Sequence, residues 1–269
     1  TVGGTNYFQT AYNIAEMVAM NVASNYNQAV VVNGYVTNND QGGGIFYYQT
    51  NSTAATNLGT VFASTVTTNG RWLRDYSGPL NVRWFGAKGD NTADDTPAFT
   101  NVLAVAKASA GGGTVHMPKG SYKITASLNL TAQVGSLAIT GDSKFDTTIY
   151  PAFNGGPVFD LSGSQLLKLE NFAVRPVATF KPATLLLIAR NAANGSASLH
   201  SFNNLWLDGT CTNATVVLWG AEQNQFLNCN ILSSVTNAPA LVGAVKINEL
   251  GFTPTSPFLT LGTGEGGVG

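Results

Sequence analysis

The feature that most restricts the fold of this chain is a loose internal repeat of short apolar runs. Leu167-Lys168-Leu169-Glu170-Asn171-Phe172-Ala173-Val174 is echoed by Leu199-His200-Ser201-Phe202-Asn203-Asn204-Leu205-Trp206-Leu207, and again by Asn224-Gln225-Phe226-Leu227-Asn228-Cys229-Asn230-Ile231-Leu232. An earlier relative is Leu137-Ala138-Ile139-Thr140-Gly141. Alternate apolar residues suit a strand with one buried face, and Asn interrupts each run where the chain must bend. Phe202 and Phe226 stand 24 residues apart, a suitable length for one turn of a three-sheet coil. Leu169 and Phe202 stand 33 apart, which leaves room for a side loop around Phe180-Lys181-Pro182. Units of this kind bury their apolar faces only by stacking, and Asn residues at equivalent bends can then bond to one another. The pattern predicts a stacked coil. An antiparallel sandwich of equally short strands is the competing reading.

Composition fits repetitive β structure. Charged residues make up 10% of the chain, against roughly 25% in an ordinary soluble protein, so Asn, Thr, Ser, Gln and Gly must supply the polar surface. Hydrophobic residues reach 44% and mean hydropathy is +0.07, enough for a substantial core. A net charge of −1 without any Lys/Arg run argues against a nucleic-acid partner. No apolar run approaches the roughly 18 to 20 residues that span a bilayer, so membrane insertion is not expected. Cys211 and Cys229 make neither a disulfide framework nor a zinc site and read as buried free thiols. His116 and His200 are too isolated for a metal cluster, and His116 is expected to fill one side of a strand. No metal and no cofactor is expected.

Three segments follow one another. In residues 1–28, Ala11, Ile14, Ala15, Val18 and Val22 recur at helical spacing and predict an amphipathic helix over 9–24. Residues 29–78 alternate strand-like runs (Ala29–Val32, Ile45–Tyr48, Thr60–Phe62, Arg71–Arg74) with the break Asn38–Gly44. A β module this small needs a neighbour or a sister chain to pack on. In residues 79–269, Phe99, Val102, Leu103 and Ala106 predict a helix over 95–109. Asp94, Asp95 and Thr96 offer cap oxygens at its start, Pro97 suits its first turn, and Gly111-Gly112-Gly113 stops it. Trp72 and Trp84 are expected to pack the junction between module and helix.

Asn81-Val82-Arg83-Trp84-Phe85-Gly86-Ala87-Lys88-Gly89-Asp90, then Ala93-Asp94-Asp95-Thr96, a helix, and Gly111 through Ile124 resemble the opening of pectate-lyase-superfamily β-helices. In that family the helix caps the N-terminal mouth and Thr114–Met117 would start the first coil. The preceding residues resemble the N-terminal part of bacteriophage tailspike and tail-fibre proteins. These are Asn13-Ile14-Ala15-Glu16-Met17, Val31-Val32-Asn33-Gly34-Tyr35, Gly42 through Tyr48, and Gly70-Arg71-Trp72-Leu73. The resemblance implies a mainly β fold: a right-handed parallel β-helix with a capping helix, behind a small α+β anchor module. It further implies a homotrimer, assembled in the host cytoplasm and carried on the virion. The N-terminal region would attach to other phage tail or baseplate proteins, and the coils would bind and often depolymerise bacterial surface polysaccharide.

Catalysis is not implied residue by residue, because sites on such coils vary. A glycosidase needs two carboxylates about 5 to 10 Å apart, and a uronate lyase needs a base and cations. Carboxylates in the coil region are few: Asp142, Asp146, Asp160, Glu170, Asp208, Glu222, Glu249 and Glu265. Asp208 and Glu222 are the candidate catalytic pair, with Trp206 and Trp219 beside them as substrate-binding rings; turn capping is the plainer role for each carboxylate. Two alternatives stand beside the tailspike reading: a secreted microbial polysaccharide hydrolase or lyase, and a structural virion adaptor without activity. The Thr1-Val2-Gly3-Gly4-Thr5 start shows no basic leader, and a stop at the glycine-rich residues 261–269 after a handful of coils suits either a fragment or a short adaptor lacking its catalytic part.

Overall fold

Residues 9–22, 29–109, 112–133, 135–191, 195, 197–219, 221–232 and 245–248 are described by a computed structural model. The first of them do not form the long helix expected over 9–24. Gln9–Ala11 (β1) pairs in parallel with Ala29–Val32 (β2), and the helix is confined to Ile14–Val18 (α1). The reason is local: Asn13 accepts from Glu16 N at 2.9 Å while Glu16 reaches back to Tyr12 N, a reciprocal cap that starts the helix after the strand. Residues 23 and 24 of the expected helix lie outside the described residues. Gly44–Gln49 (β3), Val61–Ala63 (β4) and Arg71–Arg74 (β5) complete a five-stranded sheet in the order β1-β2-β3-β5-β4. Its buried side gathers Ala11, Ile14, Met17, Val30, Val32, Phe46, Tyr48, Phe62 and Trp72 into one core. Residues 9–18 therefore belong to the same packed body as the strands that follow.

A 3-10 turn, Val82–Phe85, leads into the mouth of the coil and ends on Gly86, whose φ of 94° is left-handed. Thr96–Ala108 (α2) lies over that mouth and buries Ala98, Phe99, Val102, Leu103 and Ala106, as the periodicity predicts. The acidic pair before it divides two tasks. Asp94 caps the helix, accepting from Thr96 N at 3.0 Å and from the Thr125 hydroxyl at 2.7 Å. Asp95 is buried and accepts instead from Lys88 N (2.6 Å) and Gly89 N (3.1 Å), tying the loop Ala87–Asp90 to the helix start. The spacing of the motif is thus a hydrogen-bonding requirement. Gly111 of the expected stop lies outside the described residues.

Beyond α2 every strand pair among the described residues is parallel, which excludes the sandwich. The first face stacks Leu80–Asn81, Thr114–Met117, Ala138–Gly141, Lys168–Glu170, Ser201–Asn203 and Gln225–Leu227. The second stacks Asp90–Asp94, Gly120–Ile124, Thr147–Pro151, Ala173–Val174, Trp206–Leu207 and Asn230–Ile231. The third stacks Leu128–Asn129, Pro157–Asp160, Thr184–Ala189, Val216–Trp219 and Val245–Asn248. Leu80, Val115, Ile139, Leu169, Phe202 and Phe226 form one column in register, so the repeat read from the sequence is the repeat of the coil. The Phe202 and Phe226 rings are stacked at 4.5 Å. Left-handed residues mark the bends: Leu166, Leu199 and Gln223 before the first-face strands, Asn171, Asn204 and Asn228 after them. Asn is the residue type that tolerates this conformation best after Gly, and Asn204 Nδ2 donates to Asn171 Oδ1 at 2.9 Å. Cys211 and Cys229 are buried free thiols, and burial pushes the Cys211 pKa up to about 12.

The module joins the coil through Arg74. Its guanidinium is 5% exposed and donates to the carbonyls of Gly42 (2.7 Å), Gly43 (2.6 Å) and Gly59 (2.9 Å). It also stacks between Phe46 (4.4 Å) and Trp84 (4.8 Å). Phe85 lies flat on Gly59, where a Cβ would meet the ring at 2.3 Å. Trp84 packs this joint as expected, whereas Trp72 sits inside the module core against Tyr48.

Candidate functional site

An aromatic surface bordered by polar groups is the chemistry a sugar needs. The second face carries one. Trp206 follows Ala173 in register, and Asn230 follows Trp206. The Arg175 guanidinium lies 4.2 Å from the Trp206 ring, a cation–π contact. A loop between Gly141 and Thr147 folds over the corner and brings Phe145 edge-on to Trp206, centroids 5.9 Å apart at 89°. Phe145 is 73% exposed. Lys144, beside it, donates to Asn230 Oδ1 at 2.8 Å and Asn228 O at 3.2 Å, which fixes the loop across several coils.

The base of the loop is held by polar side-chain pairs. Asp142 Oδ1 lies 3.2 Å from His116 Nε2, and Asp142 Oδ2 accepts from Lys119 N at 2.7 Å. Asp146 pairs with Lys119 Nζ at 3.0 Å. His116 therefore sits on one side of a strand, as expected, and faces outward onto a carboxylate. His200 is the buried histidine: Nδ1 accepts from Leu167 N at 3.1 Å, and burial lowers its pKa to about 4. Among the described residues no group of three or more His, Cys, Asp or Glu is placed to hold a metal ion.

The four residues singled out from the sequence occupy different places. Trp206 lies in the second-face cluster. Asp208 stands one rung from Arg175, its N–H bonded to Val174 O at 3.1 Å where the chain leaves that face. Trp219 is 44% exposed at the end of a third-face strand. The Glu222 backbone pairs with Ser198 at the next corner. Asp208 and Glu222 are thus at different corners of the coil. Glu249 and Glu265 lie outside the described residues. Phe145, Lys144 and Arg175 were missed. The signal for Phe145 was an aromatic residue amid the charged stretch Asp142–Asp146, and for Arg175 its position directly after the strand Ala173–Val174.

Two families match the chain in tandem. Residues 10–77 match the phage tail protein small four-stranded β-sheet domain, and residues 80–183 match the rhamnogalacturonase A/epimerase, pectate lyase-like family. Among curated proteins, alginate lyase 7 of Azotobacter vinelandii is 49% identical over 45 residues, 17% of this chain and 5% of that protein. Mannuronan C5-epimerase AlgE3 of the same organism is 45% identical over 49 residues, 18% of this chain and 3% of that protein. The fold is shared with tailspike protein 2 of an Escherichia coli O157:H7 bacteriophage, at a TM-score of 0.58 and 14% identity over 93% of this chain and 40% of that one. It is shared equally with tailspike gp49 of Acinetobacter baumannii bacteriophage Fri1, at a TM-score of 0.58 and 17% identity over 90% and 53%. The chain spans about half the length of these tailspikes or less. A region similar to the phage tail β-sheet domain thus runs directly into a pectate-lyase-like parallel β-helix, and the fold is the one these tailspikes share.

Proposed function

We propose that the chain is part of a phage tailspike that recognises host surface polysaccharide. The observation that carries this is the unbroken succession of a phage tail domain and a parallel β-helix, joined by Arg74 and Trp84. The exposed Phe145–Trp206 face on the coil supports it. Gp49 of phage Fri1, which shares the fold, is described as a capsular polysaccharide depolymerase. In this reading the protein is a homotrimer on the virion, assembled in the host cytoplasm, with the N-terminal sheet facing other tail or baseplate proteins. Size-exclusion chromatography with light scattering is expected to give three copies per particle; a clean monomer at micromolar concentration would overturn the trimer.

Cleavage by this chain is a separate proposal. Asp208, one rung from Arg175, and Glu222 are its candidate carboxylates, with Trp206 and Trp219 as candidate sugar-binding rings. Release of reducing ends or unsaturated uronates from capsule would establish activity. Asp208→Asn and Glu222→Gln are expected to abolish that release; unchanged release would remove both from the site.

A further inference from the structure

The charges around Phe145 are unevenly partnered. Asp142 and Asp146, at the base of the loop, already have His116 and Lys119. Lys144 and Arg175 have no carboxylate within 4.0 Å among the described residues. The side chain of Lys144 bonds only to neutral oxygens. The Arg175 guanidinium makes no hydrogen bond to a described residue; its Nε is buried without an acceptor, as are the Trp206 and Trp72 Nε1 and the Arg83 Nε, so the nitrogens it can offer a ligand are the two terminal ones. Unsatisfied donors of this kind are costly in a folded chain. The two cations bracket a row of two rings: Lys144 Nζ is 5.7 Å from the Phe145 centroid, and Arg175 stacks on Trp206. Trp206 is already covered by Arg175 and met by the edge of Phe145, so it acts as a platform. Phe145 is the ring left open.

We infer that this face binds an acidic glycan, with a sugar ring on Phe145 and sugar carboxylates taken by Lys144 and Arg175. This rests on the reading of the chain as a polysaccharide-recognising spike. A planar guanidinium matches a carboxylate in two-pronged fashion, and an exposed aromatic ring offers the apolar face of a sugar its partner. Among the described residues Asp208 stands one rung from Arg175 by backbone register. A second copy of this chain is the rival occupant. The charges argue against it, because this face presents cations around a single exposed ring instead of a broad apolar patch.

The test is calorimetric titration of the full chain with an oligouronate and with the same oligomer reduced at its carboxylates to neutral sugars, at low and at physiological salt. The oligouronate is expected to bind at least tenfold more tightly than its neutral form and to weaken as salt rises. Lys144→Gln and Arg175→Gln are each expected to weaken it about tenfold, a loss of about 1.4 kcal/mol, and Phe145→Ala to weaken both oligomers. Equal binding of the two oligomers, or charge variants that bind as the wild type does, would overturn the inference and leave polysaccharide recognition standing. Absence of binding to either oligomer and to a panel of purified capsules would overturn both. A change in copy number by light scattering in Phe145→Ala or Arg175→Gln, without a change in binding, would reassign the face to contacts between copies.

Discussion

Arg74 and Arg175 both stack on a tryptophan, yet they lie in regions with opposite demands. At the joint, Arg74 is enclosed, its three nitrogens donate to three glycine carbonyls, and aromatic rings cover both sides. Burial pushes its pKa down to about 9, which leaves it charged at neutral pH. On the second face, Arg175 has the ring and none of the acceptors. A cation that spends all its donors on backbone carbonyls fixes two bodies together. One whose terminal nitrogens bond to no described residue keeps those two nitrogens for something from outside the chain. Residue type and aromatic neighbour are the same in both places, so the satisfied donors make the distinction between a rivet and a site.

The widest test of that contrast is Arg74→Met. Methionine keeps much of the packing between Phe46 and Trp84 but orphans the carbonyls of Gly42, Gly43 and Gly59. The expected loss is about 4 kcal/mol in urea unfolding followed by tryptophan emission. A loss under about 1 kcal/mol would mean that water replaces the guanidinium and the joint is looser than its geometry.

The coil was legible because its signal is one-dimensional. The column Ile139, Leu169, Phe202, Phe226 and the left-handed Asn171, Asn204 and Asn228 recur at spacings that stacking alone requires. Helix α2 was legible for a similar reason, its apolar face and acidic start lying within a few turns. The helix over 9–24 was misread because Ala11 suits a strand edge as well as a helix face, and the Asn13–Glu16 cap that divides the two was passed over. Trp206 could be singled out from its strand. Lys144 and Phe145 could not, because the loop that carries them is fixed at Asn230, 86 residues further on. Such contacts depend on how coils stack, which no local pattern states.

Acid sharpens the comparison from the coil side. His200 is 1% exposed, and burial lowers its pKa from 6.5 to about 4. A depressed folded pKa means that its contribution is present above pH 6.5 and is lost as pH falls through 4, a loss on the order of 3 kcal/mol. Asp40 differs in sign of cause: its burial is outweighed by N–H donors from Tyr35, Thr37, Val36 and Gly42, so its pKa lies below its ordinary 3.8 and its contribution is lost as pH falls below that value. Urea midpoints between pH 7.5 and 4.5 are expected to fall in the wild type and to stay nearly flat in His200→Asn. An equal fall in the variant would place the acid-sensitive group elsewhere.

The smallest expected effect is the one that defines the face. Arg175→Gln gives up a cation–π contact of about 0.5 to 1 kcal/mol, but it also removes a buried Nε–H that has no acceptor. These changes oppose each other, so the urea midpoint is expected to correspond to a change within about 0.5 kcal/mol. Arg74→Met measured in parallel provides the scale. If Arg175→Gln instead costs as much as Arg74→Met, Arg175 is holding Trp206 and the Lys144–Phe145 loop in place, and the second face is part of the scaffold. If stability is unmoved while binding is lost, the arginine's terminal nitrogens belong to a ligand.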